Sequence, residues 1–213
     1  MKEIVFESQK FKEFENSNEG DSWGGRYFSD ILNPEDNPYY ESIFYYTGSM
    51  FRIWNKVLRR HPSIESGQFL HSAKGEFAED GEQIKRILAV NSVLTQHRIP
   101  ENIIVYRYTH KKLIRKLCFT RSLRRGMTFV DKGFSSTTLV RDLLIDFAEK
   151  HACDCLLKIY VHKGTMGAYV SIKNPISRLN EQEVLLAPNT KIEIVKVNYL
   201  THPLLVECKV VWD

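Results

Sequence analysis

The chain changes character at residues 99–108, which read Ile99-Pro100-Glu101-Asn102-Ile103-Ile104-Val105-Tyr106-Arg107-Tyr108. Pro100 disfavours the α conformation in the residue before it, so a helix that runs up to this point is predicted to end here. From Ile103 to Tyr108 every residue except Arg107 is β-branched or aromatic, which favours a strand. The stretch therefore predicts a boundary between a helical part and a β part.

Helical patterns dominate the part of the chain before this boundary. We expect an amphipathic helix through about Phe14, followed by a loop over the polar, glycine-containing residues 16–25. Apolar residues at helical spacing predict a helix over 41–60, ended by His61-Pro62, and another over 81–97. Residues 1–100 are thus predicted to be mainly helical.

Short apolar runs follow one another after the boundary. Strands are predicted over 103–108, 127–130, 155–161, 167–172, 184–187, 191–197 and 204–212, and short helices over 110–117 and 140–150. Helices first and strands afterwards favour an α+β fold over a doubly wound parallel sheet. The sequence has neither G-x-G-x-x-G nor a P-loop pattern, so these two nucleotide sites are not supported. We expect a single domain over 1–213, with its β core in 101–213.

The charge balance allows an acidic small-molecule partner. The 213 residues include 30 Lys and Arg against 26 Asp and Glu, which gives a net charge of +4. A dinucleotide could bind such a protein, but the dense basic stripe of a dedicated nucleic-acid-binding protein is missing. The strongest basic cluster, residues 121–125, is interpreted as a solvated loop or helix end.

The cysteine spacing does not favour a zinc protein, and the hydropathy of the chain does not favour a membrane-spanning protein. Four cysteines are irregularly spaced, and Cys153-Asp154-Cys155 is too tight for half of a zinc site, so reduced thiols and no metal are expected. The sequence contains no run long and apolar enough for a membrane span, and its N-terminus lacks the apolar region of a classical secretion signal. We therefore expect a soluble polypeptide.

Two carboxylates flank one residue in Glu181-Gln182-Glu183, directly before the apolar run 184–188. Strand side chains at i and i+2 share a face, so Glu181 and Glu183 are expected to point the same way. Such a pair repels unless a cationic group lies between its members, which suggests chemistry on a cationic centre. An isolated E-x-E is a weak signal. It gains weight from Arg107 and from the run 133–138, Gly-Phe-Ser-Ser-Thr-Thr, which precede it.

The chain resembles the bacterial mono-ADP-ribosyltransferase toxins in three motifs that occur in the family's order. They are Val105-Tyr106-Arg107, the run Asp131 to Thr138, and Glu181-Gln182-Glu183, which match the Arg, Ser-Thr-Ser and E-x-E motifs. The enzymatic components of clostridial and bacillar binary toxins are the most similar group. The resemblance covers roughly residues 40–213. It implies a helical N-terminal part packed on a mixed or antiparallel two-sheet β core.

The resemblance also implies three catalytic residues. Cleaving the bond between nicotinamide and ribose in NAD builds positive charge on the sugar, and Glu183 would stabilise that charge. Ser136 would orient Glu183 through a hydrogen bond. Glu181 would pair with the guanidinium of the acceptor, because Glu at this position goes with arginine acceptors in the family.

A larger set of residues is expected to bind NAD. Arg107 would be the bidentate, permanently charged partner of the pyrophosphate. The other candidates are Tyr108, Thr137, Thr138, Phe134, Tyr46, Asn55 and Lys158. Thr137 would also hold two central strands together, and Thr138 stands where the family usually has Ser. Core packing is the alternative interpretation of Phe134 and Tyr46, and a solvent-facing side chain is that of Lys158.

The predicted function is transfer of ADP-ribose from NAD to an arginine of a target protein, with release of nicotinamide and without a metal. The target stays open: actin is a precedent among the similar toxins, and residues 172–180, with Arg178, lack the aromatic residue that commonly serves target recognition in the family. Nucleic acid is not expected as a partner. Two alternatives remain: NAD hydrolysis or modification of a nucleotide or nucleic acid, and a catalytically silent binding module.

The resemblance further implies a toxin or effector that acts outside its source cell. The chain is expected to be secreted or delivered into the cytosol of a target cell. A separately encoded carrier, an injection apparatus and phage delivery are the routes considered.

Overall fold

The computed structural model describes residues 1–77, 81–172 and 181–211. Its helices are α1 (Ser17–Tyr27), α2 (Ser29–Leu32), α3 (Tyr40–Tyr45), α4 (Phe51–Arg60), α5 (Gln68–Ala73), α6 (Gly81–Gln96), α7 (Lys111–Leu117) and α8 (Ile145–Lys150). A π-helical turn, Tyr46–Met50, joins α3 to α4, and a 3-10 turn, Arg141–Leu144, precedes α8. The helices predicted over 41–60 and 81–97 are therefore present, the first with a π turn inside it.

The strands form one mixed sheet. They are β1 (Lys2–Phe6), β2 (Gln9–Glu13), β3 (Ile103–Thr109), β4 (Thr128–Val130), β5 (Ser135–Thr138), β6 (Cys155–Val161), β7 (Gly167–Tyr169), β8 (Glu183–Leu186), β9 (Lys191–Asn198) and β10 (Leu204–Val210). Their order is β4-β9-β10-β6-β3-β5-β8-β7, and β2 connects the β1–β2 hairpin to β3. β6 pairs with β10 in parallel, and so does β2 with β3.

The sheet narrows to one residue pair between β3 and β5, Tyr106 with Thr138. We call this junction the seam. On one side of it β3 pairs with β6 from Ile103 to Thr109, and on the other β5 pairs with β8 from Ser135 to Thr138. The expected two-sheet core is thus one continuous sheet whose two parts meet at the seam. Strand patterns cannot reveal such a junction, because it depends on one contact between strands that are distant in sequence.

The two faces of β3 belong to different parts of the core. Ile103 and Val105 pack in the main core with the helices, whereas Ile104 and Tyr106 pack in a smaller cluster beneath the β1–β2 hairpin. Because side chains alternate along a strand, Arg107 lies on the same face as Val105. The strand therefore directs this arginine toward the helical side of the sheet.

The first residues form a hairpin, not the predicted amphipathic helix. β1 and β2 pair antiparallel up to Phe6 with Gln9. The turn residues Glu7 and Ser8 have φ of 47° and 64°. Two-residue hairpin turns with positive φ at both positions usually carry Asn-Gly, so the sequence lacks the signal that would have revealed this one.

Most of the predicted loop over residues 16–25 is helix α1. Asn16 caps it by accepting a hydrogen bond from the Glu19 amide at 3.1 Å. Gly20 and Gly24 disfavour a helix on their own. A Cβ at Gly20 would lie 2.0 Å from the Gln182 side chain, and one at Gly24 would lie 2.2 Å from the ring of Tyr169. Close packing therefore overrides the weak helix propensity.

Candidate active site

A cavity of about 610 Å³ lies where β3, β5 and β8 meet helix α4 and the π turn before it. Its volume is typical of a small-molecule site. It is lined by Tyr46, Thr47, Gly48, Ser49, Phe51, Arg52, Asn55, Arg59, Arg107, Tyr108, Ser136, Leu144, Phe147, His151, Glu181 and Glu183. All three predicted catalytic residues are in this set, together with four of the predicted NAD contacts: Tyr46, Asn55, Arg107 and Tyr108.

Both carboxylates of the E-x-E motif reach the cavity, but a regular strand is not the reason. β8 begins only at Glu183. Gln182 before it has a left-handed backbone with φ of 48°, and its side chain is fully buried outside the cavity wall. Glu181 and Glu183 therefore both face the cavity, as expected. They do so with a left-handed residue between them and not as alternate residues of one regular strand.

The environment of Glu183 raises the pKa of its carboxyl above the usual value. Burial raises its pKa to about 8, and the charge of Glu181 adds to the rise. A hydrogen bond from Ser136 and the charge of Arg107 act in the opposite direction. Burial also raises the pKa of Glu181. A positive charge placed beside these carboxylates would favour their ionised forms.

Three of the four hydroxyl side chains of β5, those of Ser136, Thr137 and Thr138, have different environments. Ser136 lines the cavity and donates its hydrogen bond to Glu183. Thr137 donates to the carbonyl of Val184 at 2.6 Å, so its hydroxyl links β5 to β8. Thr138 is fully buried, and its hydroxyl donates to the carbonyl of Val140 at 3.2 Å. The structure therefore places Thr137 and Thr138 behind the cavity wall, where they do not line the predicted NAD site.

A buried carboxylate, Asp131, holds two arginines of the cavity. Arg59 binds it with both prongs of its guanidinium, at 2.7 and 2.8 Å. The Arg107 guanidinium lies 3.7 Å from the same carboxylate. Although burial alone would raise the pKa of Asp131, the hydrogen bond from Arg59 and the two positive charges hold it below its usual value. The cluster carries two positive charges against one negative charge.

Sequence reasoning did not select Arg59 or Asp131 as site residues. A signal for Arg59 was available, because it lies four residues after Asn55 and therefore on the same helix face. Asp131 opens the run that contains Ser136, but its pairing with an arginine 72 positions earlier follows only from the tertiary structure.

Asn55 joins helix α4 to the strand that carries Ser136. Its side-chain oxygen accepts from the Phe134 amide at 2.7 Å, and its nitrogen donates to the Tyr46 hydroxyl at 3.1 Å. The rings of Tyr46 and Phe134 meet edge to face, with centroids 5.3 Å apart. Phe134 is fully buried and does not line the cavity, so its core interpretation fits the structure better than a direct NAD contact.

The outer rim of the cavity was also missed. It includes Arg52, Phe147 and His151, and the rings of Phe147 and His151 are tilted by 57° with their centroids 4.4 Å apart. The Arg52 guanidinium lies 3.2 Å from His151 Nε2. Burial, together with the charge of Arg52, lowers the pKa of His151. Residues 140–150 had been interpreted only as a short helix, without a signal for a site.

Lys158 does not lie at the cavity, and its prediction as an NAD contact is corrected. It pairs across the strands with Tyr106, whose side chain belongs to the small cluster on the far face of the sheet. Its ammonium binds Glu13 of the hairpin at 2.8 Å. The neighbour of Arg107 on β6 is Leu157, so a shift of one residue along the strand puts Lys158 on the opposite face.

Other predictions are tested only in part by the described residues. The predicted recognition region, including Arg178, lies outside them except at its first residue, Ile172. Within residues 1–77, 81–172 and 181–211, no group of three or more His, Cys, Asp or Glu is arranged to hold a metal ion. None of the helices in those ranges is long and apolar enough to cross a membrane.

The family model described as ADP-ribosyltransferase exoenzyme matches residues 20–204. A search of curated proteins gave no match. The matched segment contains the whole of the cavity lining and all three motifs.

Several solved structures of bacterial proteins are similar to this fold. C3stau2 from S. aureus, solved with NAD, is 19% identical with a TM-score of 0.72, over 95% of this chain and 99% of that one. Plx2a, an ADP-ribosyltransferase toxin from Paenibacillus larvae, is 21% identical with a TM-score of 0.65, over 92% and 96%. BECa, from a binary enterotoxin of C. perfringens and solved with NADH, is 19% identical with a TM-score of 0.69, over 99% of this chain and 54% of that one.

These likenesses confirm two predictions made from the sequence. The resemblance to the mono-ADP-ribosyltransferase toxins is confirmed by the family match and by the structural neighbours. The α+β fold, with a helical N-terminal part and a mixed sheet, is confirmed by the neighbours' folds.

Proposed function

We propose that this chain, which belongs to the ADP-ribosyltransferase exoenzyme family, transfers ADP-ribose from NAD to an arginine of a target protein and releases nicotinamide. One observation carries the proposal: Glu183, Glu181, Ser136 and Arg107 come from three separate sequence motifs and line one cavity. NAD is consumed in this reaction, so it is a substrate and not a resident cofactor.

The arginine cluster suits the diphosphate of NAD. Arg107 and Arg59 share the single carboxylate of Asp131, which leaves one positive charge in excess within this cluster. Guanidinium groups keep their charge when buried and pair with phosphate oxygens in a bidentate manner. Asp131 holds both groups in place before a ligand arrives, which lowers the cost of ordering them on binding.

Glu183 is the proposed stabiliser of the reacting ribose. When the bond between the ribose C1′ and the nicotinamide nitrogen breaks, its electron pair leaves with nicotinamide, and the ribose becomes cationic. The carboxylate of Glu183, oriented by Ser136, would stabilise this charge. Because the cavity buries the carboxylate, its interaction with a cation is stronger than in water.

Glu181 is the proposed partner of the acceptor. A guanidinium nitrogen of the target arginine forms the new bond to C1′ and releases one proton. A carboxylate can hold the guanidinium through two parallel hydrogen bonds and so direct the attacking nitrogen. With water in place of the guanidinium, the same cleavage is NAD hydrolysis, which needs Glu183 but not Glu181.

We also propose that the chain acts as a toxin in the cytosol of a target cell, with a separate component for its delivery. Support comes from two structural neighbours: BECa, which is named as a toxin of a binary enterotoxin, and C2-I, which is named as the enzymatic component of the C2 toxin from Clostridium botulinum. The chain spans 54% of each of those two proteins. Actin is one candidate target, and incubation with purified actin tests it directly.

The test is incubation of the protein with labelled NAD and target-cell lysate. We expect wild type to label a protein on arginine, Glu183→Gln to lose labelling and NAD hydrolysis alike, and Glu181→Gln to lose labelling but keep hydrolysis. Loss of Glu183 should slow the reaction by about a hundredfold or more, as for other lost groups that stabilise transition-state charge. Glu207→Gln is the matched control, since Glu207 bonds Tyr160 on the far side of the sheet.

Three outcomes would contradict the proposal. Full labelling by both Glu183→Gln and Glu181→Gln would refute the assignment of the active site. A label found on guanosine would show that the acceptor is nucleic acid and not protein. If wild type never consumes NAD, the protein is a binding module of this fold.

A further inference from the structure

We propose that Gln182, clamped by Asp21 and Tyr169, is a positioning residue that fixes Glu181 relative to Glu183 and so sets how NAD cleavage divides between transfer and hydrolysis. The inference rests on the proposed function. It concerns the middle residue of the E-x-E motif, whose side chain does not line the cavity.

Hydrogen bonds from three parts of the described chain hold Gln182. Its side-chain nitrogen donates to Asp21 of helix α1 at 2.8 Å, and its side-chain oxygen accepts from the Tyr169 hydroxyl of β7 at 2.9 Å. Its backbone carbonyl accepts from the Leu139 amide at 3.0 Å. Both ends of the amide group and the main chain are therefore fixed.

Helix α1 is built to receive this side chain. A Cβ at Gly20 would lie 2.0 Å from the Gln182 side-chain oxygen, so only glycine leaves room for the amide. One turn later, Gly24 lies against the ring of Tyr169 in the same way. The two glycines lower the helix propensity of α1, and the close approach of Gln182 and Tyr169 is what they permit.

The clamp matters more for Glu181 than for Glu183. Glu183 belongs to β8, where it is paired with Thr138, and its carbonyl accepts from the Val170 amide at 2.9 Å. Glu181 precedes the strand and is separated from it by the left-handed Gln182. A change at Gln182 therefore turns the backbone that carries Glu181, while sheet pairing keeps Glu183 in place.

This asymmetry predicts separate effects on two reactions. Hydrolysis of NAD needs the carboxylate that stabilises the ribose cation, whereas transfer also needs the carboxylate that directs the acceptor. Displacements of about 1 Å can slow a positioned reaction by a hundredfold. Loosening the clamp should therefore lower transfer and spare hydrolysis, while general damage to the fold would lower both.

The decisive comparison is Gly20→Ala with Gly25→Ala. Both variants replace a glycine of helix α1 by alanine, but a Cβ at Gly25 meets nothing within 4 Å. With labelled NAD and target-cell lysate, we expect Gly20→Ala to reduce protein labelling about ten- to a hundredfold while nicotinamide release without lysate stays near the wild-type rate. Gly25→Ala should match wild type in both measurements.

A second pair of variants removes a hydroxyl and keeps the ring. Tyr169→Phe removes the hydroxyl that contacts both Gln182 and Asp21, whereas Tyr160→Phe breaks a bond to Glu207 of 3.0 Å on the far face of the sheet. We expect a lower ratio of transfer to hydrolysis only for Tyr169→Phe. This pair of variants tests the proposal even if Gly20→Ala does not fold.

The two proposals fail in different ways. Equal losses of transfer and hydrolysis in Gly20→Ala and Tyr169→Phe, or no loss in either, would overturn the positioning role and leave the proposed function intact. A wild-type protein that never consumes NAD overturns both.

Discussion

At the scale of single residues, Glu183 combines two opposed requirements. Stabilising a cation requires the ionised carboxylate, but burial and the nearby Glu181 favour the protonated one. The order of the motifs predicts that Glu183 carries this charge. Its environment could not be predicted, since burial and the hydrogen bond from Ser136 arise only when β5 and β8 pair.

The raised pKa predicts a pH dependence. Because Glu183 has a pKa of about 8, kcat/KM for NAD hydrolysis should fall as pH drops through that value, since protonation removes the stabilising charge. This parameter reports the free enzyme, and a coupled pair titrates jointly. In Glu181→Gln the repelling charge is gone, so the acidic limb of the pH profile should move to lower pH. If the acidic limb of the profile stays at the same pH in Glu181→Gln, the limb belongs to a titrating group other than Glu183.

At the scale of elements, helix α4 and β5 build the site as a unit. Arg52, Asn55 and Arg59 are spaced three and four apart, so they share one face of the helix. That face was partly predictable from the periodicity. The clasp between Asn55 and the Phe134 amide was not, because the two residues are 79 positions apart.

Removing the clasp should weaken both stability and NAD binding. Asn55→Ala leaves the Phe134 amide without its acceptor, and an unsatisfied buried donor costs about 1–3 kcal/mol. We expect a lower Tm and a higher KM for NAD, measured by thermal unfolding and by steady-state hydrolysis. Asn33→Ala is the control, because that side chain bonds Asp36 at the surface. An unchanged KM would separate the clasp from the site.

At the scale of the whole molecule, the order of helices and strands after residue 100 was largely predictable, and the way in which the strands join was not. The change at residue 100 gave the fold class, because hydrophobic period and residue type are local properties. The hairpin escaped prediction because its turn lacks the usual Asn-Gly signal. Helix α1 and the seam escaped it because each depends on contacts between distant segments. Lys158 shows the same limit: its strand was predicted, but the face on which it lies depends on register.

The placement of Lys158 predicts a variant with a structural effect alone. Lys158→Met removes the cationic partner of the half-buried Glu13 and should lower the Tm, while KM for NAD stays at the wild-type value. Arg107→Lys should instead raise KM for NAD, because a single ammonium group replaces the bidentate guanidinium inside the cavity. Steady-state hydrolysis by both proteins tests this. A raised KM in Lys158→Met would restore its place at the phosphates.

The seam gives the molecule a built-in line of weakness directly beneath its cavity. Arg107 belongs to the β3 side and Ser136 and Glu183 to the β5 side, and one residue pair joins the two. A dinucleotide that touches both sides would act as a staple across them. Amide deuterium uptake in β3 and β5 should therefore slow on addition of NAD to a Glu183→Gln protein, more than in the hairpin β1–β2. Bound NAD would thus stabilise the junction between the two parts of the sheet that binds it.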